Sequence, residues 1–266
     1  MADPFQNVDA AGEDFIAAFA DSMDARQDDP TMEAIVADYL GRAHFAADGL
    51  TVEVGCGAGA ITRRIADHAN PAKVVGLDPS NGFIREAARR AGDRANLSFA
   101  VADGADLPFD DQSADNVVLH TVLTHVTAPD TILTEATRIL KPGGTMMICD
   151  ADFSKASLGS FEDDPLQVCA RYFVREFVTD PHLVSKLRDL ISACGLTLSH
   201  FDLRSRPVLD NEQMLPWVAE TARLMLERGE IGETLHQGLI EEYHRRMQRG
   251  TLYGYQVFAT AVAKKS

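Results

Sequence analysis

The sequence predicts an α/β fold built around a doubly wound, mainly parallel sheet. Three observations carry this prediction. Short apolar segments alternate with segments of helical period from about residue 50 to residue 150. The first apolar segment ends in closely spaced glycines, where a strand gives way to a helix. The chain has 266 residues, 45% of them hydrophobic, so it can bury the core of one large domain.

Two helices are predicted ahead of the sheet. Residues 1–40 hold ten acidic residues and a single base, Arg26. An apolar stripe of helical period nevertheless argues against a disordered tail. The stripe consists of Phe15, Phe19 and Met23, with Ile16 beside them. Asp29 and Pro30 then match an N-cap followed by proline at the first helical position, which predicts a second helix to about His44.

Strands and helices are then predicted in alternation. The five strands of this part span residues 50–54, 73–77, 97–102, 116–120 and 144–150. The helices between them span residues 59–69, 80–91 and 129–140. The alternation ends after residue 152, where a polar and then aromatic stretch leads to further elements. These are helices over 181–194, 211–228 and 232–248, and strands over 196–203 and 252–262.

The glycine loop after the first predicted strand is the most informative segment. Glycine lets the backbone turn tightly and lets a ligand approach without a Cβ in the way. A doubly wound fold binds its ligand at this edge of the sheet. Gly55, Gly57 and Ala60 also satisfy the dinucleotide-binding pattern. A nicotinamide dinucleotide and a tight turn without ligand therefore stay open as interpretations of this loop.

Two carboxylates accompany the loop. Asp78 ends the second predicted strand, where a carboxylate can accept hydrogen bonds from two ribose hydroxyls. Glu53 lies inside the first strand, two residues before Gly55. A carboxylate is costly to bury without a partner, and a pyrophosphate would be a poor neighbour for it. A zwitterionic or cationic ligand suits Glu53 better, and loop N–H groups are the alternative partners.

Five motifs, in order along the chain, resemble those of class I S-adenosylmethionine-dependent methyltransferases. They span residues 52–59, 77–80, 101–109, 115–126 and 138–144. The fourth is similar to a stretch in ubiquinone- and menaquinone-type small-molecule methyltransferases, with Thr124 in place of the first of two histidines. The resemblance implies a Rossmann-like sheet of seven strands with a reversed terminal strand and helical cap insertions.

The resemblance also implies S-adenosylmethionine as the cofactor. The cofactor-binding residues that it implies are Glu53, Gly55, Cys56, Gly57, Asp78, Pro79, Ala102, Asp103, Gly104 and His120. Among them, Glu53 would lie near the ammonium of the methionine moiety and Asp78 would bind the ribose. Asp103 would accept from the adenine amino group, and His120 would lie near the methionine tail.

Methyl transfer from a sulfonium is an in-line displacement, so positioning and water exclusion are the main tasks of the protein. A general base is needed only if the acceptor loses a proton. His120 and Asp152 follow predicted strands at the same edge and are the candidate catalytic residues. His125, at the start of a helical turn, is expected to form a structural hydrogen bond.

Acceptor-binding residues are expected outside the sheet. The candidates are Phe19, Arg171, Tyr172, Arg175 and Trp217. Aromatic side chains suit a planar or apolar small molecule, and the two arginines suit an anionic one. The alternatives are that the aromatics form the core of a cap and that the arginines are solvated or paired. The predicted domains are a helical lid over 1–46 and a methyltransferase domain over 47–266, with substrate-cap insertions at about 153–180 and 207–250.

The composition and charge of the chain narrow the classes of partner that it can bind. The net charge of −15 argues against nucleic-acid binding, which needs clustered Lys and Arg. No apolar run approaches the ~20 residues that span a bilayer, and the N-terminus lacks the pattern of a signal peptide. The four cysteines lack metal-ligand spacing, so no metal site and a reduced, cytoplasmic protein are expected. Homo-oligomerisation and the acceptor atom (O, N or C) stay open.

Two other functions remain open at this point. One is a non-catalytic scaffold or regulator that binds S-adenosylmethionine, because the sequence imposes no catalytic base. The other is an NAD-dependent oxidoreductase, because of the overlapping dinucleotide pattern.

Overall fold

A single sheet of eight strands forms the centre of the computed structural model, which describes residue 3 and residues 6–266. The predicted lid therefore includes residues 1, 2, 4 and 5, which lie outside the described part. The strands are β1 (Leu50–Val54), β2 (Lys73–Asp78), β3 (Leu97–Val101), β4 (Ala114–His120), β5 (Leu140–Ala151), β6 (Ser157–Leu158), β7 (Leu196–Val208) and β8 (Gly254–Lys265).

The described helices surround this sheet. They are α1 (Glu13–Gln27), α2 (Pro30–Leu40), α3 (Ala60–Ala69), α4 (Asn81–Arg90), α5 (Pro129–Ile139), α6 (Pro165–Phe177), α7 (Leu183–Ala193), α8 (Leu215–Glu227) and α9 (Glu233–Gln248). No helix within residues 6–266 combines the length and the apolar character needed to cross a membrane.

The strand order is β3-β2-β1-β4-β5-β8-β7, and the two-residue β6 pairs with the start of β8. Strands β1 to β5 are parallel, and β8 is antiparallel to both of its long neighbours. The predicted doubly wound sheet with a reversed terminal strand is confirmed, with β6 as an addition to the seven strands. Because β1 pairs with β2 on one side and with β4 on the other, the strand order reverses there, and a doubly wound fold binds ligands at this point.

Both faces of the sheet are covered, as continuous apolar strands require. Val117 and Ile148 belong to a core cluster with residues of α5 and α7. Their neighbours Val118 and Met147 belong to a second cluster with residues of α2 and α3. The alternation follows from the two-residue period of a strand. This alternation determines which side chains of each strand face the helices on either side of the sheet.

Helix α2 starts as predicted, because Asp29 Oδ1 accepts hydrogen bonds from Thr31 N at 3.0 Å and Met32 N at 3.2 Å. Helix α6 lies within the helical insertion predicted at about 153–180, for which no helix bounds were predicted. Its start signal is of the same kind, since Asp164 Oδ1 accepts from Leu166 N at 3.0 Å and proline follows at the first helical position. The polar residues ahead of it obscure the helical period.

Helix α1, which lies in the predicted lid, packs on α3 and α4. Ile16 and Ala20 on its inner face are buried, together with Ala58 and Phe83 of the sheet domain. Charged side chains at the edges of this contact pair across it. The pairs are Asp24 with Arg63, Asp24 and Asp21 with Arg90, and Asp28 and Glu33 with Arg64. The acidic arm is thus neutralised in part by arginines of the two helices that it covers.

Helices α6, α8 and α9 form a separate cap with its own apolar core, which includes Leu158, Trp217 and Tyr243. Trp217 stacks on Phe173 with ring centroids 4.6 Å apart and an interplanar angle of 9°. This cap lies beside the end of β8 that pairs with β6. Its aromatic residues therefore stabilise the cap by packing on one another.

Candidate active site

A cavity of ≈ 540 Å³ lies at the carboxyl ends of β1, β2 and β4. Its volume is in the range of small-molecule sites. The lid contributes side chains from α1 and from the segment ahead of it. These are Gln6, Val8, Phe19, Ser22, Met23 and Arg26. The cavity is therefore enclosed between the switch point of the sheet and the predicted lid.

The glycine loop forms one wall of the cavity. Gly55, Gly57 and Gly59 have φ angles of 73°, 51° and 76°, in the left-handed region that favours glycine. Space is also restricted, because a Cβ on Gly55 would lie 2.5 Å from Val122 Cγ2 and a Cβ on Gly57 would lie 2.9 Å from Met23 Sδ. The backbone conformation thus favours glycine at all three positions, and the close approach of Val122 adds to this at Gly55.

Asp78 ends β2 and ties two loops together. Its Oδ2 accepts from Gly57 N at 2.9 Å, and its Oδ1 accepts from Ser80 N at 2.9 Å. Burial raises the pKa of Asp78 to about 6, although these two hydrogen bonds act in the opposite direction. Each carboxylate oxygen keeps a second lone pair. Asp78 can therefore accept ligand hydroxyls from its place in the cavity wall.

Glu53 is the least satisfied carboxyl in the described cavity wall. Its side chain is buried, and its Oε2 has no hydrogen-bond partner among the described residues. Burial raises the pKa of Glu53 to about 8. The nearby hydroxyl of Thr62 and the charge of Arg63 oppose this rise, and the charge of Asp78 adds to it. An unpaired buried carboxyl is costly. A ligand cation beside Glu53 would remove that cost, so the site fits a ligand with a positive group here.

The third strand contributes the far side of the cavity. Asp103, Gly104 and Ala105 line it, and so does the exposed Pro79. Ala102 is not among the lining residues, but its N–H donates to Asp78 O at 3.1 Å. Of the ten residues implied to bind the cofactor, the structure brings all but Ala102 into the wall of one cavity.

His120 ends β4, is 4% exposed and lines the cavity. Its Nδ1 lies 3.2 Å from the hydroxyl of Tyr39, and its Nε2 has no partner among the described residues. Burial lowers the pKa of His120 well below its usual value, and the charge of Arg26 adds to this effect. His120 is therefore neutral at pH 7.

Arg26 is a cavity residue that sequence reasoning did not select. Its Nη2 donates to Thr121 Oγ1 at 3.2 Å, and its buried Nε has no partner among the described residues. Thr121 itself has a φ of 54°, which is unusual for a β-branched residue. The available signal was spacing, because Arg26 follows Met23 by three residues and lies on the cavity-facing stripe of α1.

The other candidates lie outside the described cavity wall, except Phe19. Asp152 is buried and accepts from Ser154 Oγ at 2.5 Å. The four cap candidates have partners within the cap or at its surface. Tyr172 donates to Glu230, Arg175 lies over the ring of Tyr172, Arg171 pairs with Glu162, and Trp217 stacks on Phe173. His125 lines the cavity, and its Nδ1 lies 2.8 Å from Asp3 Oδ2.

Thr124, the position at which the resemblance implies a histidine, has a structural role. Its hydroxyl donates to Asp150 Oδ1 at 2.7 Å. Asp150 Oδ2 also accepts from Leu123 N at 2.8 Å. The buried carboxylate of Asp150 thus fixes the turn after β4, and it is a second residue that sequence reasoning did not select.

Metal-ligating groups of three or more His, Cys, Asp or Glu are absent from the described residues. The four cysteines, all described, are free thiols.

Comparison with known proteins identifies the domain. Residues 52–148 match the model of a family described as "Methyltransferase domain". The demethylmenaquinone methyltransferase of Clavibacter sepedonicus is 41% identical over 93 residues, which cover 35% of this chain and 38% of that protein. The chain thus matches well under half the length of this curated relative.

Solved structures are similar over most of the chain. The phosphoethanolamine N-methyltransferase 2 of Haemonchus contortus, solved with phosphomonomethylethanolamine and S-adenosylhomocysteine, has a TM-score of 0.54 at 17% identity and covers 87% of this chain and 52% of that one. The cyclase SpnF has a TM-score of 0.57 at 19% identity and covers 88% of this chain and 81% of that one. At these identities the likeness concerns the fold. Residues 52–148 thus match a methyltransferase domain, and the sheet has the fold of the class I S-adenosylmethionine-dependent methyltransferases that the five motifs resemble.

Proposed function

We propose that this protein transfers a methyl group from S-adenosylmethionine to a small-molecule acceptor in the cavity under α1. One observation carries the proposal most directly. A buried carboxyl with one oxygen unpartnered among the described residues (Glu53), a loop of glycines with positive φ and a second carboxylate (Asp78) line one cavity. A ligand with an ammonium, a ribose and a narrow chain between them would satisfy all three.

In this proposal the cofactor, when bound, supplies an electrophilic methyl group and its own leaving group. The chain supplies recognition and shielding. Glu53 would pair with the ammonium, Asp78 would accept from the ribose hydroxyls, and Asp103 would accept from the adenine amino group. Gly55 and Gly57 would allow the backbone to approach the ligand. The lid residues 1–46 would exclude water, which protects a reactive methyl donor from hydrolysis.

The apolar part of the cavity wall supports an acceptor with an apolar body. Val8, Phe19 and Met23 of the lid face Val122 and Val126 across the cavity. If the acceptor must lose a proton, His120 is the better-placed of the two proposed bases, because it lines the cavity and its Nε2, without a partner among the described residues, would be the atom that accepts the proton. Asp152 would act only after a rearrangement of the segment that follows β5.

Calorimetric titration with S-adenosylmethionine and S-adenosylhomocysteine tests the cofactor, with NADH as the control. Micromolar binding of either ligand would support the proposal. In Asp78→Asn the affinity should fall by ~10-fold or more, because the ribose hydroxyls lose a charged acceptor at a buried site. Asp163→Asn in the exposed segment ahead of α6 is the matched control. Binding of NADH alone would favour an oxidoreductase and overturn the proposal. An acceptor screen with labelled methyl donor then tests the transfer itself.

A protein that binds the cofactor without transferring its methyl group is the second candidate. The contact between Tyr39 and His120 favours it, because the Tyr39 hydroxyl engages Nδ1 of the one histidine proposed as a base. The likeness of the fold to a cyclase agrees with this alternative. Cofactor binding without turnover in a broad acceptor screen would favour it. The net charge of −15 supports a small-molecule partner over a nucleic acid in either case.

A further inference from the structure

We propose that Gln27, Arg206 and Gln213 form a binding site for a neutral group that both donates and accepts hydrogen bonds. These three residues, here called the elbow site, lie at the turn between α1 and α2. The inference rests on the proposed function in one respect, namely that the bound group is the far end of the methyl acceptor.

Asp29 connects the turn between α1 and α2 to the sheet and to the segment ahead of α8. Its Oδ2 accepts from Gln213 Nε2 at 2.6 Å, and its Oδ1 lies 3.4 Å from Arg206 Nε. Arg206 belongs to β7, and its Nη1 donates to Gln256 Oε1 of β8 at 3.2 Å. Gln27 is the last residue of α1, two residues before Asp29. Parts of the predicted lid, the sheet and the predicted cap insertion therefore meet at the elbow site.

The elbow site contains buried hydrogen-bonding atoms that the protein itself does not use. Gln27 is 1% exposed and Arg206 is 2% exposed. Both amide atoms of Gln27, Nη2 of Arg206 and Oε1 of Gln213 have no hydrogen-bond partner among the described residues. Buried polar atoms are nearly always paired. Several unpaired ones at one junction therefore indicate that something else binds there, either a ligand group or ordered water.

The charges and the open atoms together define the class of ligand. Burial lowers the pKa of Arg206 to about 10, so it is a cation at pH 7, and the carboxylate of Asp29 lies beside it. The pair is balanced in charge, which favours a neutral ligand group.

The open atoms are of both kinds. Gln27 Nε2 and Arg206 Nη2 are donors, whereas Gln27 Oε1 and Gln213 Oε1 are acceptors. The orientation of Gln213 is fixed because its donor faces the carboxylate of Asp29. A carboxylate ligand offers acceptors alone and would leave both glutamine oxygens unpaired. A primary carboxamide or a vicinal diol offers donors and acceptors and matches the whole set.

The elbow site adjoins the cavity through Arg26. Arg26 lines the cavity and directly precedes Gln27 in the chain. Its charge also lowers the pKa of Arg206, so the two guanidinium groups lie within electrostatic range of each other. An acceptor with its reactive end in the cavity can therefore place its far end at the elbow site.

Thermal unfolding of Gln27→Met distinguishes a ligand site from a structural contact. Methionine has a similar shape but no amide. If the Gln27 amide is unpaired in the free protein, Gln27→Met keeps or raises the midpoint of unfolding, because an unpaired buried polar group is costly. Gln167→Met is the matched control. Gln167 Oε1 accepts from Leu158 N at 2.7 Å and from Ser157 Oγ at 3.0 Å, so this substitution should lower the midpoint.

NMR titration measures binding at the elbow site. Hexanamide and hexane-1,2-diol are the probes, and hexan-2-one and hexanoate, which lack donor hydrogens, are the controls. The side-chain amide signals of Gln27 and Gln213, assigned from Gln27→Met and Gln213→Met, report on the site directly. Each compound is titrated into the wild type, with and without S-adenosylhomocysteine, and into Gln27→Met, Gln167→Met and Arg206→Lys. Arg206→Lys keeps the charge beside Asp29 and removes Nη2.

We expect hexanamide or hexane-1,2-diol to shift both amide signals saturably, and the tighter of the two identifies the group. The controls should bind about 10-fold more weakly, and Gln27→Met and Arg206→Lys should weaken the probe by about 10-fold, as for lost hydrogen bonds at a buried site. Gln167→Met should leave probe binding unchanged.

Three results would overturn the proposal. They are a lowered unfolding midpoint in Gln27→Met, which means that water or a protein group satisfies the amide, amide signals that neither probe shifts, and hexanoate binding as tight as that of the probes. If Arg206→Lys does not fold, Gln27→Met alone decides. If S-adenosylhomocysteine does not bind the wild type, the proposed function fails, whereas probe titration of the ligand-free protein still tests the elbow site.

Discussion

The state of Glu53 predicts that cofactor binding releases a proton. Burial raises the pKa of this carboxyl to about 8 in the free protein. At pH 7 the protonated fraction is then 10/11, or about 0.9. A ligand ammonium beside Glu53 favours the carboxylate and lowers its pKa. Binding should therefore expel about 0.9 proton at pH 7.

The same linkage fixes the sign and size of the pH dependence. Because the free protein holds the proton and the complex does not, affinity rises with pH below 8. The ionised fraction of Glu53 grows from about 1/101 at pH 6 to about 1/11 at pH 7, so the affinity should rise about ninefold over this interval. Asp78, with a pKa of about 6, adds a smaller release that every ribose-containing ligand shares.

Calorimetry in two buffers of different ionisation enthalpy measures the number of protons released. S-adenosylhomocysteine carries the ammonium, and 5′-methylthioadenosine keeps the ribose but lacks the ammonium, so their difference isolates Glu53. Glu53→Gln removes the titrating group, and Glu162→Gln on the exposed surface is the matched control. Equal proton release by the two ligands, or a release that persists in Glu53→Gln, would refute the placement of the ammonium at Glu53.

Three further predictions concern the lid, the imidazole and the cap. Arg90→Met should lower the free energy of unfolding by about 1 kcal/mol and speed the dissociation of S-adenosylhomocysteine, because Arg90 pairs with two acids of the lid. Stopped-flow measurements give the dissociation rate, and an unchanged rate would argue against a lid that opens. Tyr39→Phe should lower the free energy of unfolding by about 1–3 kcal/mol and shift the ¹⁵N signals of His120, because the Tyr39 hydroxyl is the hydrogen-bond partner of Nδ1. Unchanged signals would mean that Tyr39 does not set the tautomer of His120. Trp217→Ala should lower stability by about 3–5 kcal/mol in chemical unfolding yet leave calorimetric S-adenosylhomocysteine affinity within twofold; a larger affinity loss would place the cap in the site.

The sheet was predictable because its signals are local. The segment 50–54 is apolar and ends in glycines, and β1 has the same bounds. The loop glycines were predictable without tertiary information, since glycine is the residue that most readily adopts a positive φ in a tight turn. Asp78 follows from its place at the end of β2. For these elements, period and residue chemistry suffice to place each residue at the edge of the sheet.

The acceptor side was less predictable, because it depends on which helix covers the cavity. Tyr172 and Trp217 have the residue types of a binding site, but such types also build the core of a cap. The structure packs both in the cap, and sequence period cannot distinguish the two roles. Arg26 shows the converse problem. One arginine among ten acids looks like a solvated charge, and its meaning depends on packing of α1 that only the fold supplies.

The acidity of the N-terminal arm illustrates how composition and site are connected. Asp21, Asp24 and Glu33 pair with arginines of α3 and α4, and these are the helices that follow the glycine loop and β2. The same contacts therefore hold the lid over both cofactor-side loops. Arg26 lies inside this rim, with the hydroxyl of Thr121 as its hydrogen-bond partner and the buried carboxyl of Asp150 close enough to stabilise its charge. In the proposed lid, the acids at the rim would therefore hold α1 over the cavity, while Asp150 would compensate the cation within it.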